Sequence, residues 1–251
     1  MKKLCFIAIL SLASCQSQQV INYKATNLST VGPVAIDVQS FSGNIKIIAD
    51  PTVVGTVVTA MQLEENLDET SLSSAKMRCT TEIETGTTGQ IVHIVATCDD
   101  NKLNLISADI VIRANSIHGV SVITTDGDVT LLGVSGAISI QTSDGDVRVA
   151  TPLAMNDAVI IENRRGNIVY RVRGESSGII DATAINGNAS LDFRHGKVTI
   201  LPGSTGDHLV ARFNGGTNPV TLLTVEGNIR IHVVPNPVGS KPLFSTDWIT
   251  W

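Results

Sequence analysis

The chain has 251 residues and a net charge of −5; 43% of its residues are hydrophobic, mostly Val, Ile, Leu and Ala, and only 16% are charged. That aliphatic content excludes a disordered chain, and 21 glycines among many β-branched residues exclude a helical bundle. The acidic balance excludes a nucleic-acid binder, which needs a basic surface, and the length admits one large domain or two small ones.

In chain order, Lys2 and Lys3 precede a short apolar run that closes on small residues. This is the layout of a secretory signal peptide, and the run is too short to span a bilayer as a mature helix. Leu12-Ala13-Ser14-Cys15 resembles the lipobox of bacterial lipoproteins. The resemblance implies a signal peptide over residues 1–14, cleavage before Cys15 and acylation of its sulfur. Cleavage removes Lys2 and Lys3 and takes the net charge from −5 to −7. Two or three acyl chains anchor stably where one is marginal, so the membrane is an expected partner through the N-terminal lipid. Gln16 rather than Asp follows the cysteine, which implies the outer membrane in a Gram-negative cell. Residues 15–30 are expected to be a lipidated tether.

A repeat opens next: apolar-x-apolar-x-(Ser/Thr)-x-x-Gly-(Asp/Asn)-apolar-x-apolar. Its first copy runs from Ile36 to Ile47 around Gly43 and Asn44. Residues 51–104 interrupt it and are expected to be an insertion or N-terminal cap. They offer a strand from Val53 to Met61, a short helix from Glu64 to Lys76, and a hairpin whose arms carry Cys79 and Cys98. A turn centred between Thr88 and Gly89 sets Cys79 directly opposite Cys98, within disulfide reach. An oxidising compartment then favours an antiparallel disulfide hairpin; the alternative is two free buried thiols.

The repeat resumes from Val120 to Leu131 around Gly127 and from Ile138 to Val149 around Gly145. Looser copies follow around Gly166, Gly187 and Gly227, and Arg194 to Ile200 is a half copy. Gly127, Gly145, Gly166 and Gly187 are 18–21 residues apart. Period-two apolar residues on each side of the turn make two short strands with one buried face each. The glycine serves a turn closed to most side chains, and Asp or Asn tolerates it too. These features predict an all-β domain over residues 31–235, a right-handed parallel β-solenoid of 18–21-residue coils; the alternative is an antiparallel sandwich or barrel. Spacing leaves two or three sides per coil open. Residues 236–251, with Phe244, Trp248 and Trp251, are expected to form a C-terminal aromatic cap, or else an exposed binding segment.

Ala108 to Ala114, Gly119 to Val122 and the two Asp-Gly-Asp-Val turns resemble the putative-adhesin family of bacterial envelope proteins. The resemblance runs over roughly residues 30–235. It implies a repetitive β-helix-like fold and a role in adhesion, and it brings no catalytic residues.

Stacked coils would bring Asp126 near Asp144 and Asp128 near Asp146. Repulsion between such carboxylates invites Ca²⁺, the one ligand the sequence suggests. Asp as a plain turn former is the alternative, and Arg165 takes the place of Asp144 in the next coil. The five histidines lack zinc-site spacing, and nucleophile-elbow and phosphate-loop motifs are absent. Asp181, Asp192, Arg194 and His195 lie close in sequence, as a carbohydrate-active enzyme would use them or as a solvated face would present them. The expected function is non-enzymatic: surface recognition, adhesion or envelope scaffolding, with an envelope or surface protein or glycan as partner. The alternative is an envelope carbohydrate-active enzyme.

Overall fold

The computed structural model describes residues 19–64, 77–86, 89–98 and 106–238. The lipobox with Cys15, the helix expected before Lys76, and Phe244, Trp248 and Trp251 lie outside the described residues.

The strands are β1 (Gln19–Leu28), β2 (Val34–Gln39), β3 (Ile45–Ala49), β4 (Thr56–Glu64), β5 (Met77–Gly86), β6 (Gly89–Cys98) and β7 (Ile106–Ala114). They continue as β8 (Ile117–Ile123), β9 (Val129–Leu132), β10 (Ser135–Asp144), β11 (Val147–Ala150), β12 (Val159–Arg165) and β13 (Ile168–Val172). The last are β14 (Gly178–Asn186), β15 (Ala189–Phe193), β16 (Val198–Ile200), β17 (His208–Phe213), β18 (Pro219–Glu226) and β19 (Ile229–Val233).

They form two sheets. Sheet A runs β1-β4-β7-β3-β9-β11-β13-β19-β15, and sheet B runs β16-β17-β14-β18-β12-β10-β8-β2-β6-β5. Each repeat puts its first strand in sheet B and its second in sheet A, with the glycine turn between them. The coil is therefore two-sided. Val129 pairs in parallel with Val147, and Val147 with Ile168, so equivalent residues stack one coil apart. Alternate residues such as Ile138, Ile140, Val147 and Val149 point into one apolar core shared by both sheets. Burial of these branched side chains, at about 25 cal/mol per Å² of apolar surface, holds the sheets together.

The coils do not stack in chain order. The β2–β3 coil lies between the β6–β7 pair and the β8–β9 coil, and the β18–β19 coil is wedged between β12–β13 and β14–β15. Antiparallel strands close both ends: β1, β4 and β7 in sheet A, β5 and β6 in sheet B, and β14, β17 and β16 at the far end of sheet B. The 51–104 segment thus extends both sheets.

Two expectations need correction. Residues 19–28 are not tether but β1, paired antiparallel with β4. The cysteine hairpin pairs Gly86 with Gly89, which sets Cys79 opposite Ala96 and Cys98 opposite Met77. The cysteines are diagonal neighbours, a relation in which Cα atoms lie roughly 7–8 Å apart, at or beyond the limit of a disulfide. Both thiols are free, and burial pushes the Cys79 thiol pKa up.

Candidate functional site

Along the turn edge the repeat residues form two ladders. In the first, each Asp or Asn after the glycine accepts the backbone N–H of its counterpart on the neighbouring coil. Asp109 accepts from Asn44 (2.7 Å), Asn44 from Asp128 (3.0 Å), Asp128 from Asp146 (2.8 Å) and Asp146 from Asn167 (2.7 Å). Asn167 then accepts from Asn228 and Asn228 from Asn188, both at 3.0 Å. The second ladder is the glycines themselves. A Cβ on Gly127, Gly145, Gly166, Gly187 or Gly227 would come within 3 Å of the glycine backbone of the adjacent coil, and one on Gly43 would meet the Ala108 backbone. All but Gly187 also have positive φ, between 102° and 150°.

The Ser/Thr position of the repeat has its own task. Thr124 and Thr142 are buried, and their hydroxyls donate to the turn carbonyls of Asp126 (3.2 Å) and Asp144 (3.0 Å). Asn163 and Thr224, at the same position, donate to the carbonyls of Gly145 and Gly166. Asp109 was the member of the first ladder that sequence reasoning missed. Its signal was the half template Asp109-Ile110-Val111-Ile112 with Ala108 in place of glycine.

The four aspartates of the two Asp-Gly-Asp turns each have a partner of their own. Asp128 and Asp146 bind main-chain N–H groups. Asp144 is held by Arg165, whose Nη2 donates at 2.7 Å, and that hydrogen bond keeps the Asp144 pKa low. Asp126 accepts from the Ser42 hydroxyl at 3.4 Å. Among the described residues no group of three or more His, Cys, Asp or Glu is arranged to hold a metal ion. The proposed acid cluster is also dispersed. Asp181 faces out from sheet B beside His208 (2.9 Å), whereas Asp192 is on sheet A with Arg194 (3.0 Å) and His232 (3.5 Å). His195 is 3.8 Å from Glu175. Two opposite faces cannot share one substrate bond.

The outer face of sheet B carries a shallow groove of about 550 Å³ that sequence reasoning did not single out. Its floor is a row of small residues, Ala35, Gly119, Ala137 and Ala158, with Ser121 and Ser139 beside them. Asp37, Ser121, Ser139 and Ile160 are in register across β2, β8, β10 and β12. Ile91 and His93 flank one end, Ile160 the other. His93 Nδ1 lies 3.0 Å from Asp37 and Nε2 lies 3.1 Å from Glu84. The hydrogen bond to Asp37 raises the His93 pKa, and that to Glu84 adds to it. The arrangement suits contact with an extended ligand: a low floor with hydroxyls, apolar ends and a histidine between two carboxylates.

A solved structure shares this architecture. The crystal structure of a "putative cell adhesion protein" from Clostridium sporogenes aligns with a TM-score of 0.61 over 84% of this chain and 98% of its own, at 10% identity. A "putative adhesin" from Bacteroides fragilis aligns with a TM-score of 0.27 over 85% of this chain and 98% of its own, at 11% identity. No curated protein matches the chain. The Toastrack DUF4097 family matches residues 18–232, from β1 to the penultimate residue of β19. With two racks of mostly parallel strands matched over residues 18–232, the chain belongs to the Toastrack DUF4097 family.

Proposed function

We propose that the chain is a lipid-anchored envelope module that acts by recognition rather than catalysis, binding a protein or glycan across the outer face of sheet B. The observation that carries this reading is the floor of small residues shared by four consecutive coil positions, from Ala35 to Ala158. The core and the turn ladders do not require the three alanines there, because these positions point away from both, while Gly119 also serves a positive φ of 101°. A rigid parallel ladder offers an extended flat surface suited to such contacts. The similarity to a structure described as a putative cell adhesion protein supports the same reading, as does the dispersal of the acid cluster. Cys15 supplies the membrane attachment, in the outer membrane of a Gram-negative cell.

Two experiments test it. The purified domain is screened against envelope and host glycans and intact cells, beside Ala137→Arg and Ser139→Arg variants. Loss of binding by tenfold or more, with unchanged circular dichroism, is expected for both. Undiminished binding by both variants rejects the groove. Separately, Cys15→Ser is expected to abolish labelled-palmitate incorporation, and normal acylation of that variant rejects the anchor.

A further inference from the structure

The two outer faces of the solenoid differ in charge. Outward residues of sheet A line up in rows across the coils, because equivalent positions stack in register. One row brings Lys46 on β3 into line with Arg148 on β11 and Arg230 on β19. The next brings Arg113 on β7 into line with Arg171 on β13. From β7 to β19 these two rows hold five cations and no carboxylate. The first acid beyond them is Asp192 on the edge strand β15, and Arg194 already holds it. The outer face of sheet B, by contrast, sets Asp37, Glu82, Glu84, Glu162 and Asp181 against Arg78, Arg164 and Arg212. A chain of net charge −5 thus turns a cationic face outward on one side only.

The like charges of sheet A act on one another. Burial lowers the Arg171 pKa, and Arg148 and Arg194 lower it further. Arg171 is 5% exposed and adds charge rather than contact. Arg113 and Arg230 are exposed and Lys46 is half-buried. Five strand steps separate Arg113 from Arg230, about 24 Å at the usual spacing. At the β1 end of the same face Tyr23 is 61% exposed, in register with the outward Met61. A tyrosine ring with its hydroxyl suits the boundary between acyl chains and headgroups.

We propose that the outer face of sheet A docks on an anionic phospholipid surface, with Lys46, Arg113 and Arg230 toward headgroup phosphates and Tyr23 at the acyl boundary.

The docked orientation rests on the lipid-anchored reading given above. Cys15 stands four residues before Gln19, the start of β1, and four residues reach at most about 14 Å. β1 is the outermost strand of sheet A, so a lipid on Cys15 holds that edge of the domain close to the bilayer. Charge then decides which face turns down. An anionic surface attracts the basic rows of sheet A and repels the carboxylates of sheet B. In this orientation the groove of sheet B faces away from lipid and stays open to a partner.

The test uses the chain from residue 16 onward, which keeps every described strand and carries no acyl group, so docking is read apart from anchoring. Co-sedimentation is measured with vesicles of phosphatidylcholine and phosphatidylglycerol in equal parts, and of phosphatidylcholine alone. At low salt the chain is expected to bind the anionic vesicles at least tenfold more tightly, and to leave them at about 0.5 M salt. The double variant Arg113→Glu, Arg230→Glu is expected to lose at least tenfold in affinity with unchanged circular dichroism. Arg164→Glu, Arg212→Glu makes the same change in net charge on sheet B and is expected to stay within about twofold of native. Should the first variant fail to fold, the native chain decides: anionic vesicles are expected to slow acetylation of Lys46 and to leave that of Lys197, an exposed residue before β16, unchanged. Equal binding to both kinds of vesicle, equal loss in the two double variants, unprotected Lys46, or capture by soluble dextran sulfate but not by vesicles would overturn the docking. Vesicle binding as expected, with no palmitate on Cys15 in cells, would overturn the anchor alone.

Discussion

Gly145→Ala tests the stacking of the turns most directly. Gly145 has φ +108°, and an added Cβ would stand 2.5 Å from the Gly127 carbonyl carbon, closer still to its oxygen, and 3.1 Å from the Asp128 nitrogen. These are backbone atoms, so no side chain can swing aside, and the two coils must part. The left-handed backbone alone costs a non-glycine residue about 1–3 kcal/mol. Parting the coils stretches the Asp144 N–H bond to the Thr125 carbonyl (3.1 Å) and the Asp146 N–H bond to Asp128 (2.8 Å). At about 1 kcal/mol each, these bring the total to about 3–5 kcal/mol. Gly203→Ala is the matched control: its φ is +95°, but nothing lies within 4 Å of the added methyl. It pays the backbone strain and no stacking penalty. The expected difference is therefore about 2 kcal/mol, or about 4–8 °C in Tm for a domain of this size. Urea and thermal unfolding of the two variants measure it, with the denaturant slope checked for constancy. If Gly145→Ala is no more destabilising than Gly203→Ala, close stacking does not explain the glycine ladder.

Other predictions follow from the same geometry. Asp146→Asn should be close to neutral, because Asn already accepts the neighbouring N–H at 44, 167 and 228, whereas Asp146→Ala orphans the Asn167 N–H and should cost about 1 kcal/mol in urea unfolding. His93 has a raised pKa in the folded state, so its contribution is fully present below the unfolded value of about 6.5 and is lost as pH rises through the folded value. The stability difference between native protein and His93→Gln should therefore shrink from pH 6 toward pH 8; a difference independent of pH would reject the pairing with Asp37 and Glu84. The His232 pKa is pushed down by burial and acts in the opposite sense, which is why the difference rather than the raw curve is measured. Non-reducing mass spectrometry of protein purified from the envelope should find Cys79 and Cys98 as thiols, with Cys98 alkylated before the buried Cys79; a linked peptide would refute the hairpin register.

Much of the architecture is legible in the residues themselves. The glycine-Asp/Asn turn and the flanking period-two apolar residues have a local cause: only certain residues take that backbone, and alternation fixes which face is buried. From these alone the all-β class and parallel stacking of Val129 on Val147 can be read. Local patterns could not choose among equivalent neighbours. Every coil offers the same apolar face and the same Asx acceptor, so nothing in Val220 to Ile231 says that it wedges in before the β14–β15 coil. Alternation is equally blind to a slip of two, which keeps every side chain on its face; this is how Cys79 came to sit opposite Ala96 instead of Cys98. The small-residue floor of sheet B was hidden for a related reason, since Ala35, Gly119, Ala137 and Ala158 are scattered over more than 120 positions and meet only when the coils stack. The sequence by itself determined what each strand buries and where each turn falls, because those are properties of neighbours along the chain. Which coil lies beside which, and so which side chains share a surface, was decided only by the tertiary structure, because identical repeat faces compete for the same partners and only closure of the whole stack separates them.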